Sequence, residues 1–262
     1  MSPIGEHIDP RAAPAERGGV EERAAAPPRA VERRPELVPE LLAVACIAVV
    51  PALVEAVHYR LAPYAIEPSA YYARILLRSL YVAIPLLFIA RRGGMAWREL
   101  GLVRPRWKEG VAGALMIGLL VVLLFGVDGT VQRGWWAWSG SVPWLDDAPT
   151  DESLEGAGFA TVQRAPLAVA GIVATHLANG FAEELAMCAY LITRLRAATG
   201  SLAVALLLSN VAFTSYHVYY DASGITAVFG FGALLTAGWL VTRNLWVVAL
   251  AHALFNLALE FL

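Results

Sequence analysis

Residues 166–191 read PLAVAGIVATHLANGFAEELAMCAYL, and this stretch decides the fold. It is apolar over most of its 26 residues, and about 20 apolar residues in a helix cross a hydrocarbon core of about 30 Å. Six other apolar runs follow the same pattern: Leu41–Val57, Ile75–Ala90, Val111–Val127, Leu202–Val218, Ile225–Val241 and Leu245–Leu262. Backbone groups in lipid must be satisfied within their own segment. The sequence therefore predicts an all-α, polytopic membrane helix bundle of about seven transmembrane helices.

The composition and the charge distribution support a membrane location. Only 16% of the 262 residues are charged, against about 25% in soluble domains. Fifteen of the twenty basic residues fall in the N-terminal tail or in alternate links between the runs, and basic residues accumulate on the cytoplasmic side. We expect a cytoplasmic N-terminus. The preference for Arg over Lys, with abundant Ala, is typical of a GC-rich bacterium and suggests the bacterial inner membrane.

Two segments outside the runs have a distinct composition. Residues 1–36 are rich in Pro, Ala and charge and contain no apolar core, which predicts a disordered cytoplasmic tail. The domain proper then spans residues 37–262. The long link Asp128–Ala165 contains four Trp residues and is interpreted as an external loop that touches the membrane surface.

Ionisable side chains inside three of the last four runs point to chemistry, because such groups are costly in lipid. The run 166–191 carries Glu183 and Glu184, and the next carries His217. In the last run His252 and Asn256 are four residues apart, so they face one point of the bundle. A carboxylate and an imidazole can activate water, and His and Asn can stabilise an oxyanion. These parts suffice to hydrolyse a peptide bond. His176, Asn179 and Asn210 are interpreted as interhelical hydrogen-bonding residues.

The order of these motifs resembles a family of membrane proteases. Glu183-Glu184, then Phe213-Thr-Ser-Tyr-His217, then His252-Ala-Leu-Phe-Asn256 are similar to the motifs of the CPBP or Abi family. That family includes the CAAX prenyl endopeptidases and bacterial proteins of bacteriocin processing and immunity. The resemblance covers roughly residues 165–258, the core of the predicted protease domain.

The resemblance implies a glutamate-dependent intramembrane protease. Glu183 would activate water with help from His217, and His252 and Asn256 would stabilise the oxyanion, with Glu184 completing the catalytic set. No cofactor and no metal is implied. A metal bound by Glu183, His217 and His252 is the less favoured alternative.

Position 188 departs from the family pattern Glu-Glu-x-x-x-Arg, because it is Cys. In the family the Arg looks like the partner of the second Glu. We favour the interpretation that Arg78, inside the second run, supplies that cation from another helix. Two alternatives stay open: an inactive relative, or Cys188 acting as a nucleophile in a sortase-like transpeptidase.

The expected activity is endoproteolysis of a membrane-associated or C-terminally anchored protein or peptide. Surface-protein sorting of the myxosortase type or peptide maturation are the processes that bacterial relatives suggest. The expected partners are the lipid bilayer and that substrate, and no nucleic acid. The alternative is a catalytically inactive membrane immunity or scaffold protein.

Overall fold

A computed structural model describes residues 37–62, 68–120, 166–220 and 222–261. The predictions for the tail 1–36 and for the loop 128–165 lie outside these residues. Everything below concerns the described part of the chain.

Seven helices make up the described residues, and no strand occurs among them. Helix α1 comprises Leu37–Val44, a π-helical segment Ala45–Val49, and Val50–Leu61; α2 is Pro68–Arg92; α3 covers 107–120; α4 comprises Pro166–Glu184, a π-helical segment Leu185–Leu191, and Ile192–Thr199; α5 is Leu202–Ser215, α6 is Ala222–Thr242 and α7 is Leu245–Phe261. Each apolar run of the sequence overlaps one of these helices, and for the run Val111–Val127 this holds over residues 111–120, the part that the structure describes. The predicted all-α class is confirmed.

The outward faces of the bundle suit a lipid environment. Three described helical stretches are long and apolar enough to cross a membrane: Leu37–Leu61, Ala70–Arg92 and Gly224–Thr242. The apolar helices α5 and α7 are shorter. Large apolar side chains such as Val54 on α1 and Leu77 on α2 are exposed, and extensive apolar exposure of this kind is typical of a surface that meets another apolar phase. The fold is a membrane helix bundle.

The links on one side of the bundle are tightly built. Gly200 takes a left-handed conformation with φ of 71° and ends α4, as glycine commonly does after a helix. Ser201 then caps α5 by accepting a hydrogen bond from the Val204 backbone N–H. The link between α2 and α3 docks on the α6–α7 turn, where the Leu245 N–H donates to the Gly101 carbonyl at 2.9 Å.

Helix α4 lies at the centre of the bundle and positions the candidate site. It packs most extensively against α7 and α2. Its contact with α7 is close because Gly180 lies against the backbone of Ala249 and Ala253, and small residues allow membrane helices to approach in this way. All seven residues of the π-helical segment Leu185–Leu191 are buried. The bundle core therefore surrounds the two carboxylates that precede this segment.

Candidate active site

The two adjacent carboxylates end the regular α-helical part of α4. Glu184 is the last α-helical residue before the π-helical segment, and Glu183 directly precedes it. Neighbouring residues on a helix are rotated by about 100°, so the two side chains meet different helices. The Glu184 side chain is 2% exposed and that of Glu183 is 12% exposed. π-helical segments occur frequently at functional sites.

Glu184 is turned toward α7, where it meets His252. A hydrogen bond of 2.8 Å joins His252 Nδ1 to Glu184 Oε1, and both side chains are buried. A carboxylate oxygen accepts, so Nδ1 carries the proton. The other ring nitrogen, Nε2, lies 3.7 Å from Glu183 Oε2. The His252 imidazole thus lies between the two carboxylates.

Glu183 is turned toward α2, where it meets Arg78. The Arg78 Nη2 group donates to Glu183 Oε1 at 3.0 Å and to Asn179 Oδ1 at 3.2 Å. Asn179 and Glu183 are four residues apart and therefore share one face of α4. Asn179 makes the interhelical hydrogen bond that its sequence position suggested.

The expected role of Arg78 needs a correction. Arg78 does bring a cation to the acidic pair from another helix, but its contact is with the first carboxylate, Glu183, and not with Glu184. The reason is rotational, because the face of α4 that carries Glu183 points at α2 while Glu184 points at α7. The position that the family gives to an Arg is filled here by Cys188, and Glu184 has His252 as its partner.

Four polar groups form a continuous chain, along which charges alternate when His252 is protonated. Arg78, Glu183, His252 and Glu184 follow one another with separations of 3.0, 3.7 and 2.8 Å. An isolated buried charge is costly, whereas neighbouring opposite charges offset much of that cost. With a protonated His252 the chain contains two cations and two anions. Two carboxylates can then lie side by side within the bundle.

His217 lies near this chain, and Phe213 is a common neighbour of His217 and His252. It follows α5 in a short turn, and its Nδ1–H donates to the Phe213 carbonyl at 2.9 Å. That bond leaves Nε2 as the acceptor of a neutral ring. The Phe213 ring neighbours both imidazoles, with ring centroids 4.9 Å from His217 and 6.2 Å from His252. Within the described residues no direct hydrogen bond or ion pair joins His217 to Glu183.

Asn256 lies one turn beyond His252 on α7 and is half-buried. None of the hydrogen bonds found in the described ranges involves its side chain. The structure therefore brings Glu183, Glu184 and His252 together, places His217 nearby, and leaves Asn256 outside the hydrogen-bonded chain.

A small cavity adjoins Glu183, and its lining residues come from α1, α2, α4 and the turn after α5. Alanines of α1 and α4, Ala48, Ala52, Ala182 and Ala186, form much of its wall, and its polar lining includes Arg78, Asn179, Glu183 and Tyr216. The cavity has a volume of about 20 Å³. One water molecule needs about 10–15 Å³ on the same measure, so the cavity can hold one. Sequence reasoning did not find Tyr216, because a Tyr beside a helix end carries no distinctive signal.

Cys188 lies apart from this cavity. It is 2% exposed, and its Sγ is 3.8 Å from the Thr236 hydroxyl of α6. Asn210 donates to the Phe229 carbonyl at 3.0 Å and so joins α5 to α6, which is the interhelical role expected for it. Among the described residues, no group of three or more His, Cys, Asp or Glu side chains is arranged to hold a metal ion.

Comparison with known proteins finds one family model that matches the part of the chain that carries this site. Residues 165–258 match the family model described as type II CAAX prenyl endopeptidase Rce1-like. The matched segment contains α4 to α7 almost completely, and with them both carboxylates and both imidazoles, but it does not include Arg78. No curated protein and no solved structure matches the chain.

Proposed function

We propose that this chain, a member of the CPBP family of CAAX-type membrane proteases, is an intramembrane endopeptidase that uses Glu183 to activate water. The substrate is a membrane-associated or C-terminally anchored protein or peptide, such as a surface protein with a C-terminal sorting segment or a peptide precursor. The protein resides in a bacterial cell membrane, crosses it several times and has a cytoplasmic N-terminus, as its basic residues indicate.

The observation that carries this proposal is the continuous chain of contacts Arg78–Glu183–His252–Glu184. Arg78 Nη2 donates a hydrogen bond of 3.0 Å to Glu183 Oε1 and places a positive charge beside this carboxylate. Oε2 lies 3.7 Å from His252 Nε2, which is beyond hydrogen-bond length. Oε2 therefore keeps an acceptor site for a proton of water, as a general base requires.

The reaction proceeds in two steps from these positions. Glu183 takes a proton from water while the water oxygen bonds to the carbonyl carbon, and the carbonyl electron pair moves onto oxygen. His252, oriented by its hydrogen bond to Glu184, and Asn256 donate to this oxyanion. The oxyanion then collapses, the C–N bond breaks, and Glu183 returns the proton to the leaving amine. A carboxylate that orients an imidazole in this way recurs in hydrolases.

The test uses the full chain reconstituted in liposomes. Its substrates are quenched fluorescent peptides with an apolar C-terminal segment, each prepared with and without a farnesylated Cys. We expect cleavage by the wild type and a loss of about 10²-fold or more in Glu183→Gln, because general-base catalysis contributes about 10²–10⁴-fold. The matched control is Glu99→Gln in the link between α2 and α3, where Glu99 only caps the Ala96 N–H at an exposed position.

Two results would contradict the proposal. Cleavage by Glu183→Gln at the wild-type rate would show that Glu183 is not the base. Failure of the wild type to cleave any peptide of the set, with Glu183→Gln leaving the cellular phenotype intact, would favour the immunity or scaffold alternative. A preference for the farnesylated members would assign a prenyl-dependent substrate.

A further inference from the structure

Tyr216 carries a buried hydroxyl group and lines the same cavity as the candidate base. Its side chain is 4% exposed and lines the cavity that also contains Glu183, Arg78 and Asn179. Its hydroxyl has no hydrogen-bond partner in the part of the chain that the structure describes. Among the described side chains that line this cavity, only Tyr216 has a fully buried polar atom without a hydrogen-bond partner. Buried polar groups are nearly always hydrogen-bonded to protein or water, so each exception calls for an explanation.

The position of the phenol ring is fixed by its neighbours. Phe213 contacts it edge-on with ring centroids 5.6 Å apart, and His217 lies at 4.7 Å. The turn that contains Tyr216 is also tied to α1, because Arg60 donates to the Val218 and Tyr220 carbonyls at 2.6 and 2.9 Å. A donor held in this way needs little reorganisation when charge develops in front of it.

The phenol shares its cavity with the charged groups of the proposed reaction. Glu183 and Arg78 line the same cavity as Tyr216. Both are already engaged, because Arg78 Nη2 donates to Glu183 and to Asn179. A phenol has an ordinary pKa of about 10 and can both donate and accept a hydrogen bond. The Tyr216 O–H therefore supplies a neutral donor next to a carboxylate that can only accept.

We propose that Tyr216 is a further catalytic residue, which donates a hydrogen bond to the carbonyl oxygen of the scissile peptide bond. This inference rests on the proposed function. As Glu183 removes the water proton and the new C–O bond forms, the carbonyl oxygen gains the negative charge that the Tyr216 O–H stabilises. The phenol keeps its proton throughout, and the oxyanion returns its electron pair when the C–N bond breaks. The donor acts from the α5 side of the cavity, in addition to His252 and Asn256 on α7.

The test compares Tyr216→Phe with Tyr220→Phe in the liposome assay, using the peptide that the wild type cleaves fastest. Tyr220 belongs to the same turn but is 36% exposed and does not line the cavity. Loss of one oxyanion donor costs about 10²–10³-fold in kcat. We expect kcat to fall about 100-fold in Tyr216→Phe, with KM and the thermal unfolding midpoint unchanged, and Tyr220→Phe to behave as the wild type.

Glu183→Gln, assayed in parallel, separates this inference from the function on which it rests. If Glu183→Gln is inactive while Tyr216→Phe retains the wild-type kcat, the Tyr216 assignment is overturned and the protease function stands. An increase of KM at constant kcat would also overturn it, because the phenol would then contribute to uniform substrate binding. A fall in kcat together with a lowered unfolding midpoint would indicate a purely structural role. Undiminished cleavage by Glu183→Gln would instead refute the proposed base.

Discussion

The contact of Gly180 with α7 determines how closely the carboxylates of α4 approach His252 on α7. Replacing Gly180 by Ala tests that dependence. A Cβ atom at position 180 would lie 2.7 Å from the Ala249 carbonyl oxygen and 3.1 Å from the Ala253 backbone nitrogen. Ordinary contact begins at 3.4 Å. The first of these atoms is backbone and cannot turn aside, so α4 and α7 must separate by about 0.7 Å, the difference between 3.4 and 2.7 Å.

That separation acts directly on the hydrogen bond between Glu184 and His252. Gly180 is about one helical turn from the carboxylate, and Ala253 follows His252 immediately. A bond of 2.8 Å lengthened by most of the shift would leave the range of about 2.7–3.2 Å in which such bonds are strong. We expect kcat to fall by about 10- to 100-fold, because misplacement by about 1 Å can cost about 10²-fold. Overpacking should also cost about 1–3 kcal/mol of unfolding free energy.

The assay measures peptide cleavage in liposomes and thermal unfolding in detergent for Gly180→Ala beside Gly171→Ala. Gly171 lies on the same helix, and a Cβ there meets nothing within 4 Å. Gly171→Ala should keep full activity and be as stable as the wild type or slightly more, since Ala favours a helix over Gly by up to about 1 kcal/mol. Equal activity and stability of the two variants would refute the reasoning, because the close packing of α4 on α7 would then not control the site.

The helices could be predicted from the sequence because their signal is local. An apolar run of about 20 residues matches the thickness of the hydrocarbon core, and it can be recognised without knowing which helices pack against it. The polar residues within α4 to α7 stand out against that background for the same reason. Their faces also follow from local geometry, which places Asn179 beside Glu183 and rotates Glu184 away.

The partner of each face could not be predicted, because it depends on the arrangement of the bundle. Arg78 was expected beside Glu184 by analogy with a family residue on α4 itself, whereas it enters from α2 and meets Glu183. The π-helical segment Leu185–Leu191 has no evident sequence signal and changes the helical register directly after the acidic pair. Tyr216 stood among several aromatic residues at the end of α5, and only its burial and its place in the cavity wall distinguish it from Tyr220.

The two remaining predictions concern the cysteine and the cation near the acidic pair. Cys188→Ala should retain activity, because the thiol is buried against Thr236 and does not line the Glu183 cavity; complete loss of cleavage in a folded variant would support a nucleophilic role. Arg78→Leu should destabilise the protein, because it leaves the Glu183 carboxylate without its cation. Breaking a fully buried ion pair costs about 3–5 kcal/mol. Because the Arg78 side chain is still 32% exposed, we expect the free energy of unfolding to fall by about 2 kcal/mol, a value between those of buried and surface pairs. The control is Arg74→Leu one turn earlier on α2, whose pair with Glu55 lies at 42% and 34% exposure and should be worth about 1 kcal/mol or less. Adding Glu183→Gln to Arg78→Leu should recover part of the lost stability, because the uncompensated charge is then gone. If Arg78→Leu and Arg74→Leu unfold alike in detergent, or if the double variant is no more stable than Arg78→Leu, the cation from α2 does not offset the charge of the buried carboxylate.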